Sequence, residues 1–282
     1  MGVLFGLLAA LGWGGADFLV AQVSRRMGIL QALLLIQLAG LVAIVLVLAV
    51  RFGVPAASAG VWAQAAGLAA LNMVCTVLLY RSYAIGTLSI VSPITSGFAV
   101  VTALLALASG ERPNGLALLG ALLLVGGVTV VARGQGGPRL GLRSLMAPGT
   151  PEAVGAAVGY GVYFWGLDFV TPSLGIVWPV LLARIVSFGS VALWMLHRQI
   201  APVRPPRAVL PLVLGCAVFD TVAFLAFNSG LGSADTTIVT ALSSLFSAIT
   251  VLLAWVVSRE RLASYQWAGV GIILAGVLLV SI

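Results

Sequence analysis

Along the chain, runs of about twenty apolar residues alternate with short clusters of glycine, proline and arginine. Ten such runs can be cut, at 3–23, 29–50, 60–80, 87–109, 115–133, 152–171, 175–196, 208–228, 234–257 and 262–281. Each is long enough to cross a bilayer as a helix. Their apolar positions are consecutive rather than alternate, so the pattern predicts helices and not barrel strands. The one long connection, ARGQGGPRLGLRSLMAPGTP at 132–151, has the Gly, Pro and Arg content of a linker. The first run lacks a basic leader and continues through Trp13 and Asp17, which reads as a retained helix rather than a cleaved signal. The fold predicted is an all-α polytopic membrane protein with ten transmembrane helices.

The pattern also repeats. GERPNGLALLGALLLVGGVTVV at 110–131 matches RERLASYQWAGVGIILAGVLLV at 259–280, aligning Glu111 with Glu260, Gly120 with Gly269 and Gly127 with Gly276. An offset of 148 pairs Phe98 with Phe246, Thr102 with Thr250, Gly67 with Gly215 and Asn72 with Asp220. At the front of each half, Gly15-Ala16-Asp17-Phe18 aligns with Gly166-Leu167-Asp168-Phe169 at offset 151. The expected division is therefore a five-helix repeat at 1–133, a linker at 134–151 and a second five-helix repeat at 152–282. Five is odd, so the second repeat enters the membrane inverted, an arrangement suited to exposing one site alternately to each side.

Composition narrows the chemistry. Only 7% of residues are charged, against about a quarter in soluble domains, and 61% are hydrophobic. Disorder is excluded by the same numbers. The net charge is +7, carried entirely by arginine, but too few polar residues remain to build a nucleic-acid surface. Eleven arginines fall at loops after odd-numbered runs, and Arg51 and Arg112 fall at loops after even-numbered ones. By the positive-inside rule both termini would lie outside. Cys75 and Cys216 sit in apolar runs and suggest neither disulfide nor metal. Neither a hydrolase, a phosphate-binding nor a metalloprotease motif is present, so no catalytic residue, metal or cofactor is assigned. Without a nucleotide-binding motif, the driving force for transport would be a gradient or exchange.

WGGADF in the first run, GTLSIVSPITS leading into the fourth, the Glu-Arg pairs before the fifth and tenth, and TALSSLFSAITVLLA in the ninth occur in a telling order. With these motifs the chain resembles an EamA-type member of the drug/metabolite transporter superfamily over nearly its whole length. The resemblance implies ten helices and transport of small metabolites, often export. Relatives are commonly drawn with both termini in the cytoplasm, opposite to the arginine count. One departure is visible: the proline often carried after the aromatic of the fourth and ninth runs is replaced by Ala99 and Ser247.

Ionisable groups inside a membrane are costly and default to functional candidates. Asp17, Asp168, Asp220 and Arg184 fall within the runs. Aromatic side chains share their helical faces: Trp13 with Asp17, Phe164 and Trp165 with Asp168, Phe224 and Phe227 with Asp220. A carboxylate with an aromatic wall suits an amino group or organic cation. Structural roles compete, such as satisfaction of an aspartate by Arg184, Gln37 or a hydroxyl. Ser92, Thr95 and Ser96 form a polar face in run four, next to Pro93, and Ser243, Ser247 and Thr250 form one in run nine. Asn72 aligns with Thr76 in run three. The candidate binding set is thus Trp13, Asp17, Asn72, Ser92, Thr95, Ser96, Phe164, Trp165, Asp168, Arg184, Asp220, Phe224, Ser243 and Ser247. Glu111 and Glu260 read as helix-start charges beside arginines, and the glycines of runs five and ten as packing or protomer contacts.

The expectation is a secondary active transporter, an exporter or exchanger of amino acids, amines or similar metabolites, with a proton as candidate coupling ion. Its partners would be a small-molecule substrate and the lipid bilayer, as monomer or homodimer, in the bacterial inner (plasma) membrane. A lipid flippase and a passive facilitator are the rival readings, and a membrane-embedded enzyme lacks an acid–base or metal set.

Overall fold

The computed structural model describes residues 1–51, 53–86, 88–112, 114–131, 148–233 and 236–258, with eight scattered positions beyond. The expected linker and the tenth run lie largely outside these residues. Among the described residues there are only helices and turns, and seven helical segments are long and apolar enough to cross a membrane. The elements are α1 (Gly2–Met27), α2 (Ile29–Arg51), α3 (Ala59–Ile85), α4 (Leu88–Ser96), α5 (Phe98–Ala108), α6 (Gly115–Val131), α7 (Thr150–Leu174), α8 (Trp178–His197), α9 (Leu210–Leu231), α10 (Thr236–Ser243) and α11 (Phe246–Ser258).

Helix ends follow local chemistry. The Ser58 hydroxyl caps α3 by accepting from the Val61 N–H. The chain reverses between α1 and α2 through Gly28 alone, at φ 81°, a conformation glycine adopts without a Cβ penalty. Gly175, at φ 72°, opens the three-residue turn between α7 and α8. Their amides bond Ser24 and Thr171 carbonyls at 2.9 and 2.8 Å. The two turns lie 147 residues apart in the chain.

Runs four and nine are not single helices. α4 continues through position 93 and stops at Ser96, and α5 begins after Gly97; α10 and α11 are parted by Ser244 and Leu245. At both breaks the backbone switches to tighter i−3 bonds, Gly97 N–H to Ile94 O at 3.1 Å and Leu245 N–H to Leu242 O at 3.2 Å. The breaks thus exist although the family's proline is absent at Ala99 and Ser247.

Packing pairs helices from different halves. α1 lies against α9, α10 and α11, while α7 lies against α3, α4 and α5. Association between helices in lipid relies on close approach through small residues, and the glycines show where. A Cβ on Gly14 would sit 2.6 Å from Ile249 and 2.9 Å from the Phe246 carbonyl. A Cβ on Gly161 would sit 2.4 Å from Val101 and 3.1 Å from the Phe98 carbonyl. Thr250 Oγ1 donates to the Gly14 carbonyl at 3.2 Å, and Thr102 Oγ1 to the Gly161 carbonyl at 3.0 Å. Likewise Gly12 meets Phe219 and Ala223, as Gly159 meets Leu71 and Cys75. Each contact thus has a counterpart 147 residues on for α1/α7 and 148 for α3/α9 and α5/α11. The offset of 151 expected for the first helix is therefore corrected by one helical turn: contacts match Asp17 with Phe164, and Asp168 with Ala21.

Outward faces remain apolar. Leu4, Leu8 and Leu11 on α1, and Leu214, Val218 and Val222 on α9, are exposed along helical stripes. An apolar exterior is what contact with lipid tails requires.

Candidate functional site

Where α1, α3 and α7 meet α2, α8 and α9, the helices part around a cavity lined with aromatic and polar side chains. It holds about 620 Å³ of space between atoms, counting the part continuous with the outside. α1 supplies Trp13 and, one turn later, Asp17; α3 supplies Asn72, Thr76 and Tyr80 at four-residue spacing, hence on one face. α7 contributes Tyr160 and Phe164, and the helix breaks bring in Thr95, Phe98 and Phe246. Gln37, Arg184, Asp220 and Phe224 close the remaining side.

The aromatic wall is continuous. Trp13 lies 5.1 Å from Phe164 and 5.2 Å from Phe224, and Phe98 lies 4.8 Å from Phe164 between ring centroids. Phe98 and Phe246, counterparts at offset 148, stack on each other at 6.0 Å. Such rings offer negative π faces to a bound cation.

The ionic groups are held differently from one another. The Tyr83 hydroxyl donates to Asp17 Oδ2, and the Arg25 side chain donates to the Tyr83 and Gly86 carbonyls at the adjoining end of the bundle. Arg184 is buried and engaged at both ends of its fork: Nη2 donates to Asp220 Oδ2 and Nη1 to Gln37 Oε1 at 2.6 Å. Its Cζ lies 5.7 Å from the Phe224 ring. A buried carboxylate–guanidinium pair offsets the desolvation of both ions only with such supporting bonds. Thr76 Oγ1 donates to the Asn72 carbonyl at 2.7 Å and shares a 3.0 Å hydrogen bond with the Tyr160 hydroxyl. Asn72 Oδ1 is buried with no partner among the described residues.

Of the residues expected from sequence, Trp13, Asp17, Asn72, Thr95, Phe164, Arg184, Asp220 and Phe224 line this cavity. The others do not. Asp168 is half-buried and takes a side-chain hydrogen bond from Thr236 at the start of α10. Beside it, the Glu111 carboxylate accepts from the Thr237 amide and from Thr237 Oγ1 at 2.6 Å. Glu111 is thus a helix-start charge, but of α10 rather than of its own α6, and Glu260 falls outside the described residues. Trp165 faces outward, donating to Ser109 Oγ at 2.9 Å and packing on Phe169. Ser92, Ser96, Ser243 and Ser247 are buried between helices, with the Ser243 hydroxyl on the Thr240 carbonyl. Ser/Thr hydroxyls in membranes are often spent this way on their own helix.

Sequence reading missed Tyr80, Tyr83 and Tyr160. Tyr80 continues the Asn72–Thr76 face, and Tyr160 lies one turn before Phe164, so both could have been found by helical spacing. Tyr83 could not, since nothing local links it to Asp17.

The EamA-like transporter family model matches the chain over residues 1–133 and 153–282. A solved crystal structure of a protein superimposes with a TM-score of 0.77 at 18% identity, covering 99% of this chain and 95% of that one. At that identity the likeness is one of fold. No curated protein matches.

Proposed function

The chain belongs to the EamA-like transporter family, an integral membrane family that moves small molecules, and from that premise we propose that it is a secondary active transporter working as an exporter or exchanger of amino acids, amines or similar metabolites. Its site is the cavity holding Trp13, Asp17, Asn72, Phe164 and Phe224, worked by alternating access between two inverted five-helix repeats, 1–133 and 152–282. The observation that carries this reading is a buried carboxylate, Asp17, set in an aromatic-walled cavity at the crossing of helices from both halves. Support for the repeats comes from the twin contacts of Gly14 and Gly161 with α11 and α5. A family match that breaks between 133 and 153 supports the division too. The helix breaks at Gly97 and at Ser244–Leu245 border the cavity and give each repeat a joint.

Asp17 is the group that exchanges substrate for a proton. In proteoliposomes under an imposed pH gradient, Asp17→Asn should lower flux about tenfold or more, whereas Asp168→Asn, outside the cavity, should retain most of it. Undiminished gradient-driven flux in Asp17→Asn would sink the proposal.

A further inference from the structure

We infer that the cavity is a site for a monovalent organic ammonium ion, with Asp17 receiving its charge and the Arg184–Asp220 pair cancelled within itself and silent toward the substrate's charge. The inference rests on the transport reading above and narrows its substrate class from amino acids and amines to amines. Among the described residues, three ionic side chains line the cavity: Asp17, Arg184 and Asp220. Arg184 has no edge left for a ligand carboxylate. One end of its fork is held by Asp220 and the other by Gln37, and its Nε, which has no hydrogen-bond partner among the described residues, is pressed on α2, where a Cβ on Gly40 would come within 2.8 Å. Recognition of a carboxylate by arginine depends on two parallel N–H bonds from one open edge, and here every such edge includes a nitrogen already engaged by Asp220 or Gln37.

Asp17 is the contrasting case. Among the described residues its carboxylate meets the neutral Tyr83 hydroxyl and no cation. With Asp220 neutralised by Arg184, the described lining carries one uncompensated negative charge whenever Asp17 has given up its proton. A substrate carboxylate would add like charge in a poorly solvated space, while an ammonium would complete a pair. Trp13, one turn from Asp17 and packed on Phe164, adds cation–π attraction for that ammonium and an apolar surface for its body.

The first repeat carries an uncharged version of the same pair. Gln37 lies nine residues past the turn glycine Gly28, and Arg184 nine past Gly175. Asn72 and Asp220 correspond at the α3/α9 offset. One half of the molecule thus fills these positions with two amides, which separates the packing role of the pair from its charge. Arg184→Gln combined with Asp220→Asn reproduces the first repeat's residues in the second and leaves the charge of the lining unchanged.

The test uses three probes on one skeleton: phenethylamine (cation), phenylalanine (zwitterion) and 3-phenylpropionate (anion). Binding is measured by calorimetry on the detergent-purified full chain, and accumulation in proteoliposomes. The wild type should bind phenethylamine about tenfold or more tighter than either other probe. Asp17→Asn should abolish that preference, and the Arg184→Gln/Asp220→Asn double variant should keep it. Asp220→Asn alone exposes an uncompensated guanidinium and should bring phenylalanine close to the amine. Because that single variant strands a buried charge and can fail to fold, the double variant is the deciding one. Wild-type preference for phenylalanine, no amine binding at all, or loss of amine preference in a folded double variant would each overturn the inference. Amine binding without gradient-driven accumulation would uphold it and count against the transport reading instead. Accumulation of phenylalanine ahead of the amine would do the reverse.

Discussion

Replacing Gly14 with alanine places one methyl where α1 crosses α11. The added Cβ would lie 2.6 Å from Ile249 Cγ2, 2.7 Å from Ile249 Cβ and 2.9 Å from the Phe246 carbonyl. Carbon atoms rest about 3.5–4.0 Å apart, so the two helices must separate by about 1 Å. Ile249 cannot swing clear, because the atoms in contact lie next to its own backbone. Overpacking of this kind costs about 1–3 kcal/mol. Separation also lengthens the Thr250 hydrogen bond to the Gly14 carbonyl, already 3.2 Å, at a further cost of about 0.5–1.5 kcal/mol. Gly161→Ala meets the counterpart contacts with Val101 and the Thr102 bond, so its cost should be the same. Gly126→Ala meets nothing within 4 Å among the described residues and serves as control. Cys75 and Cys216 are both buried and free, so a thiol-reactive dye reports unfolding directly. Both crossing variants should lose about 5–10 °C of apparent melting temperature, and the control should be unchanged or slightly raised. A Gly14→Ala melting point equal to the control's would refute the close-crossing argument. A large loss at Gly14 with none at Gly161 would refute the equivalence of the two crossings.

Thr102→Val and Thr250→Val each remove a hydroxyl that bonds a carbonyl of the opposite half, and each should cost about 1 kcal/mol in the same dye assay. Glu111→Gln keeps an acceptor at the start of α10 but removes its charge from the helix N-terminus, a loss of about 0.3–1 kcal/mol, seen as faster hydrogen exchange of the α10 amides. Arg81→Ala breaks the ion pair with Glu152, but Arg81 is 58% exposed, so stability should change by less than about 1 kcal/mol and flux should be unaltered.

Membrane class was legible from apolar runs alone, because about twenty consecutive apolar residues have no stable place in water. So was the short set of intramembrane charges, since an acid in such a run is expensive wherever it lands. Asp17, Asp220 and Arg184 were found on that ground and line one cavity. The same argument also selected Asp168, which lies elsewhere. The reason is helical: a slip of four residues leaves a side chain on nearly the same face but moves it about 6 Å along the axis. Aligning Asp17 with Asp168 rather than with Phe164 was therefore invisible to periodicity, and only contacts such as Gly14 on Ile249 and Gly161 on Val101 decided the register. Which charges cancel was likewise beyond the sequence. Arg184 meets Asp220 and Gln37, and Asp17 meets Tyr83, only because separate helices converge. Hydrophobic pattern specifies which segments enter the membrane and which residues there are costly. How those costs are offset depends on distances between helices, which only the packed structure sets.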